Sequence, residues 1–184
     1  MPHHMKHFWL LLVLIVAISI TVVSCGKVTS SQTITSYTTM SMPQITSMLK
    51  TNFNISDPVF IFSDSTYILP TTAWVKGPFS ETLKKFLFDY NVSQYQVDSN
   101  DCDDFAFYGR AMANILNRHN PNGKNHGIAV GAFSKLADMG INSHVLNFVI
   151  VADEDKKPKV LFYEPQTQQT TLVNTNSVVF WWVM

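Results

Sequence analysis

The stretch from Cys102 to about Arg118 constrains the fold most, because it is a long helix pattern followed only by runs short enough for strands. Phe105, Met112, Ile115 and Leu116 recur at helical spacing, and Asn120-Pro121-Asn122-Gly123 then stops the pattern. Cys102, Ala106 and Gly109-Arg110 share one face, whose small residues allow close approach of another layer. Apolar runs follow at 127–133, 144–151, 159–163, 171–173 and 177–183. This order predicts an α+β domain, one central helix packed on a mostly antiparallel sheet.

The first 24 residues read as targeting sequence. Lys6 and three histidines precede an apolar run over 8–23, short for a membrane span of about 20 residues. Val22-Val23-Ser24-Cys25 follows and resembles a bacterial lipoprotein signal, which implies that Cys25 becomes the first mature residue and carries the lipid. A retained signal anchor is the alternative, and Met5 is a second possible start. The expected location is the cell envelope, on a periplasmic or extracellular face. Gly26, where an acid commonly retains lipoproteins in an inner membrane, is a weak pointer to the outer one.

Residues 25–42 then read as the lipidated cysteine and a Ser/Thr-rich tether, and 43–184 as one domain. Lys+Arg and Asp+Glu both number 13, so no basic field draws nucleic acid. The run Asp153-Glu154-Asp155-Lys156-Lys157, before Pro158, reads as a solvated hairpin turn. A short helix is expected over 43–50, a hairpin over 58–69, and a helix opening at Ser80 with Leu83, Phe86, Leu87 and Tyr90 on its core face.

Cys102 is the only cysteine outside the N-terminal segment. A helix N-terminus favours the thiolate through its unpaired N–H groups and partial positive charge. Asp101, Asp103 and Asp104 oppose this by like charge and read as capping residues, with Ser99 or Asn100 as the N-cap. His144 opens a strand pattern and Glu164 ends the next one. Cysteine, histidine and acid supply a nucleophile, a base and a group that orients the base.

The hexapeptide Asp101-Cys102-Asp103-Asp104-Phe105-Ala106, His144-Val145-Leu146 and the following acid resemble the bacterial transglutaminase-like cysteine peptidases of papain-like fold. The resemblance covers about 95–166. It implies that Cys102 is the nucleophile, His144 the general base and Glu164 the residue fixing the imidazole tautomer. Asp is commoner than Glu at the third position, and Asn147 is a rival orienter. For the oxyanion, the Cys102 N–H and Gln96 are the candidates, with Gln94 as alternative. The chemistry implied is exchange or cleavage of an amide bond through a thioester, on a peptide, protein or peptidoglycan substrate, without cofactor.

A metal set of Cys102, Asp104, His126 and His144 lacks the paired short spacings of zinc sites. No phosphate loop or dinucleotide fingerprint is present. Two non-enzymatic readings stand beside the hydrolase: an inactive envelope lipoprotein that binds a protein, an envelope component or a phage component, as an immunity or exclusion factor would, and a lectin-like module stacking sugars on Trp181-Trp182.

Overall fold

The computed structural model describes residues 33–34, 36–53, 60–61, 63–96, 100–121, 123, 125–136, 143–173 and 179–183, and each structural statement below concerns these. The signal segment and Cys25 lie outside them.

Strand β1 (Ser36–Ser41) leads into helix α1 (Met42–Phe53), which buries Ile45, Leu49 and Phe53 along one stripe. The turn between them is held by the Gln44 side chain, whose Oε1 accepts from the Ser41 N–H at 2.8 Å. Strand β1 thus lies ahead of Pro43, inside the Ser/Thr-rich segment. Strands β2 (Phe60–Ile61) and β3 (Thr66–Pro70) come next.

A short helix α2 (Thr72–Trp74) widens into a π-helical turn at Val75–Phe79 before α3 (Ser80–Asp89). Pro78 sits in that turn and can donate no main-chain hydrogen bond, which suits the wider winding. The helical stretch is capped by Thr71, whose Oγ1 accepts from the Trp74 N–H at 3.2 Å. Ser80, expected to open a helix, lies inside it and donates its hydroxyl to the Val75 carbonyl at 2.6 Å.

Helix α4 (Cys102–Arg118) is followed by β4 (Gly127–Ile128), β5 (Val130–Leu136), β6 (Ser143–Ala152), β7 (Pro158–Glu164), β8 (Gln169–Leu172) and β9 (Val179–Val183). Two sheets form, one ordered β1-β3-β4 and one ordered β2-β9-β5-β6-β7-β8. All pairings are antiparallel except β2 with β9 and β3 with β4. The charged run does form the β6–β7 turn, with Ala152 opposite Pro158 and Lys156 at φ 55.

The hairpin expected over 58–69 is not made, because β2 and β3 belong to different sheets. The Tyr67 hydroxyl instead accepts the main-chain N–H groups of Ser63 and Asp64, at 3.1 and 2.9 Å. A side chain thus satisfies the turn that strand pairing would otherwise have satisfied.

The papain-like, transglutaminase-like α+β core, with its central helix packed on one mostly antiparallel sheet and two further helices beside it, is corrected by this architecture, which has two sheets. Three helices of ten or more residues pack with two mostly antiparallel sheets. The physical reason lies in β6. Val149 and Val151 join Phe105, Met112 and Leu116 of α4 in one core, whereas Leu146, Phe148 and Ile150 join Ile45, Leu49 and Phe53 of α1 in another. A strand apolar on both faces needs cover on both.

Candidate functional site

Helix α4 begins with Asp101 as its N-cap, not Ser99 or Asn100. The Asp101 N–H donates to the Asp104 carboxylate at 3.3 Å, one arm of a capping box. Asn100 is buried and staples the preceding loop, its Nδ2 donating to the carbonyls of Val92 (2.9 Å) and Gln94 (2.5 Å).

Cys102 is a free thiol on the first turn, half-buried against Ala106, Ala132 and Val145. The Val145 N–H donates to its Sγ at 3.4 Å, so the sulfur lies against the backbone of the residue after His144. Burial pushes the Cys102 pKa above its ordinary value. The Val145 hydrogen bond pulls it down, and the charges of Asp101 and Asp103 push it up again. The lowered pKa expected of a helix N-terminus is therefore not what this environment produces.

His144 Nε2 lies 2.5 Å from Glu164 Oε2, with the imidazole more exposed than the carboxylate. Glu164 is itself held by the Gln166 N–H, which donates to Oε1 at 3.1 Å. This pairing takes up Nε2 and leaves Nδ1 as the nitrogen that could serve a thiol.

Asn147 is fully buried and acts as a clamp, not as an orienter of His144. Its Nδ2 donates to the Ala106 carbonyl at 2.8 Å and to the Gly131 carbonyl at 3.0 Å, tying α4 to β5 and β6. Gly109 makes this possible: a Cβ there would stand 2.1 Å from Asn147 Oδ1. The Gly109 signal was visible in the sequence only as a small residue near the cysteine.

Gln96, the expected oxyanion donor, is exposed and forms a reciprocal main-chain bridge with Asn100 (2.8 and 2.9 Å). The metal set of Cys102, Asp104, His126 and His144 is not assembled among the described residues. The cluster that does form is Asp101, Cys102 and Asp103. Trp182 pairs with Phe133 through the backbone of β9.

A second concavity, missed by reading the sequence, lies along α4 toward its C-terminus. It has a volume of about 760 Å³. Arg110, Asn114 and Arg118 line it at four-residue spacing, with Asn117, His126 and Asp64 around them. Asn117 Nδ2 donates to the His126 carbonyl at 2.8 Å, and Gly123 admits Asn117 Oδ1 where a Cβ would stand 2.3 Å from it. Arg110 Nε, Asn117 Oδ1 and His126 Nδ1 are buried and accept or donate no hydrogen bond.

Neither a family model nor a curated protein matches this sequence. Solved structures do. The chain is similar to PSL1a in its complex with E64, at TM-score 0.60 and 14% identity, over 79% of this chain and 51% of that one. It is also similar to Polyporus squamosus lectin bound to the human-type influenza-binding epitope Neu5Acα2-6Galβ1-4GlcNAc, at TM-score 0.61 and 16% identity. That match covers 79% of this chain and 49% of the lectin.

The chain shares the fold of about half of each of these two chains. This overturns the transglutaminase-like peptidase family read from the hexapeptide, and with it the assignment to hydrolases and thiol proteases. A short motif at a helix start is compatible with more than one fold, and here the two-sheet topology decides. Nor do these neighbours support the peptide, protein or peptidoglycan substrate. The chain spans about half the length of each of these two chains.

Proposed function

We propose that the chain recognises glycans, from a membrane to which a lipidated Cys25 tethers it, and that the pocket along α4 receives the saccharide. Because the chain spans only half of its lectin neighbours, the reading rests on its own pocket. That pocket is open and polar, and its amides and guanidinium groups converge on one volume, as sugar hydroxyls require. The lectin bound to Neu5Acα2-6Galβ1-4GlcNAc supports the same reading.

The test is a glycan array probed with the full-length protein. Binding to a subset of glycans is expected, falling by about five- to 150-fold when Asn114 and Asn125 are both changed to Ala, since each lost hydrogen bond is worth about 0.5–1.5 kcal/mol. An array with no bound glycan would sink the reading.

A second reading has its own observation: the Val145 N–H on Cys102 Sγ sets the thiol beside β6, which carries His144, and His144 is paired with Glu164 at the end of β7. In it Cys102 is the nucleophile, His144 the base and Glu164 the group that holds the imidazole, and the site takes electrophiles. E64, the compound in the PSL1a complex, is an epoxide and serves as the probe. Sγ would attack a ring carbon, the C–O bond would open, and the thiol proton would pass through His144 to the released oxygen.

The expected result is a thioether adduct at Cys102 near neutral pH, forming at least about 100-fold more slowly in His144→Ala. Iodoacetamide, which brings little binding energy, should react slowly and keep accelerating above pH 9, because burial holds the thiol protonated. Full-length protein that gains no E64 mass, or gains it equally fast without His144, would remove this reading.

A further inference from the structure

We propose that the pocket along α4 is built for an acidic saccharide, whose carboxylate is taken by Arg110 with Arg118 further along the same face. This deepens the glycan reading and rests on it.

Charge bookkeeping among the described residues carries the argument. Their ion pairs involve Lys85, Lys159 and His144, and neither Arg110 nor Arg118 has a carboxylate partner within 4.0 Å. Arg110 is half-buried, and its Nε is out of reach of water yet bonded to nothing. Nε is closed to a ligand as well, so it is the two terminal Nη groups, which have no protein partner among the described residues, that present a planar fork to a carboxylate. Asp64 is the one acidic residue in the lining, and its Oδ2 already accepts from the Ser63 hydroxyl at 3.1 Å. The lining therefore carries an excess of donors.

A neutral sugar would satisfy the amides of Asn114, Asn117 and Asn125 but leave both guanidinium groups without a counter-charge. A carboxylate supplies it. Arg110 and Arg118 are eight positions apart on α4, about 12 Å along the axis at 1.5 Å per residue. The two arginines are thus spread along the groove, whose volume of about 760 Å³ has room for more than one sugar ring.

The experiment titrates full-length protein with trigalacturonate and with the corresponding neutral galactose trimer, at low and at physiological salt. The acidic trimer should bind at least tenfold more tightly, with the preference shrinking as salt rises. Arg110→Gln should reduce that preference at least tenfold, and Arg110→Lys, which keeps the charge but not the fork, should fall between. Equal binding of the two trimers would overturn the proposal, as would an unchanged preference in an Arg110→Gln protein whose circular dichroism is native. Arg110-dependent binding of the acidic trimer, with no neutral glycan bound on the array, would sustain the anion pocket and count against general glycan recognition. Array binding by neutral glycans, with no preference for the carboxylate, would do the reverse.

Discussion

Replacing Gly109 with alanine should lower the unfolding free energy by about 2–4 kcal/mol, from overpacking together with a disturbed buried amide. The added Cβ would stand 2.1 Å from Asn147 Oδ1, and Asn147 is fully buried and cannot swing into solvent. Either α4 moves away from β6 or Asn147 gives up its bonds to the Ala106 and Gly131 carbonyls. Both routes weaken the seam that places the start of α4 beside Val145. Urea unfolding measures the loss. A double-mutant cycle with Asn147→Ala tests the cause, because removing the amide makes room for the methyl and the alanine should then cost far less. Additive losses would mean that the clash is relieved elsewhere.

Phe133→Ala should cost about 3–5 kcal/mol, the usual range for deleting a fully buried aromatic ring. Phe133 is fully buried in β5, stacked on Phe162 at 4.7 Å between ring centroids, tilted against Phe53 at 6.2 Å and edge-on to Phe148 at 6.3 Å. These rings join α1 to the sheet face opposite α4. Thermal and urea unfolding of Phe133→Ala and Phe133→Leu should rank the leucine protein well above the alanine protein, since leucine refills most of the volume. If both lose less than about 1 kcal/mol, this face of the sheet is not a packed core.

The two sites differ in how much of them the sequence exposed. Cys102 at the start of a helix was legible because a capping acid, an apolar helical period and a Pro/Gly stop are all local signals. His144 and Glu164 were each legible as strand residues, while their contact depends on the register of strands twenty residues apart. The pKa direction of Cys102 was not legible, since it follows from how deeply Ala106, Ala132 and Val145 enclose the sulfur. Nor was the α4 pocket, because Asp64, Arg110 and His126 come from three separate segments.

Taken alone, the sequence determined the limits of α1 and α4 to within a few residues, the C-terminal end of α3 and most strands after Ile128, but not the helical stretch over 72–79 that leads into α3. Each of these rests on the period of its own apolar residues. Only the tertiary structure decided the number of sheets, the separation of β2 from β3, and the helix cover on both faces of β6. Those features depend on pairings between distant segments, and a strand's own period says which residues alternate, not which neighbour meets each face.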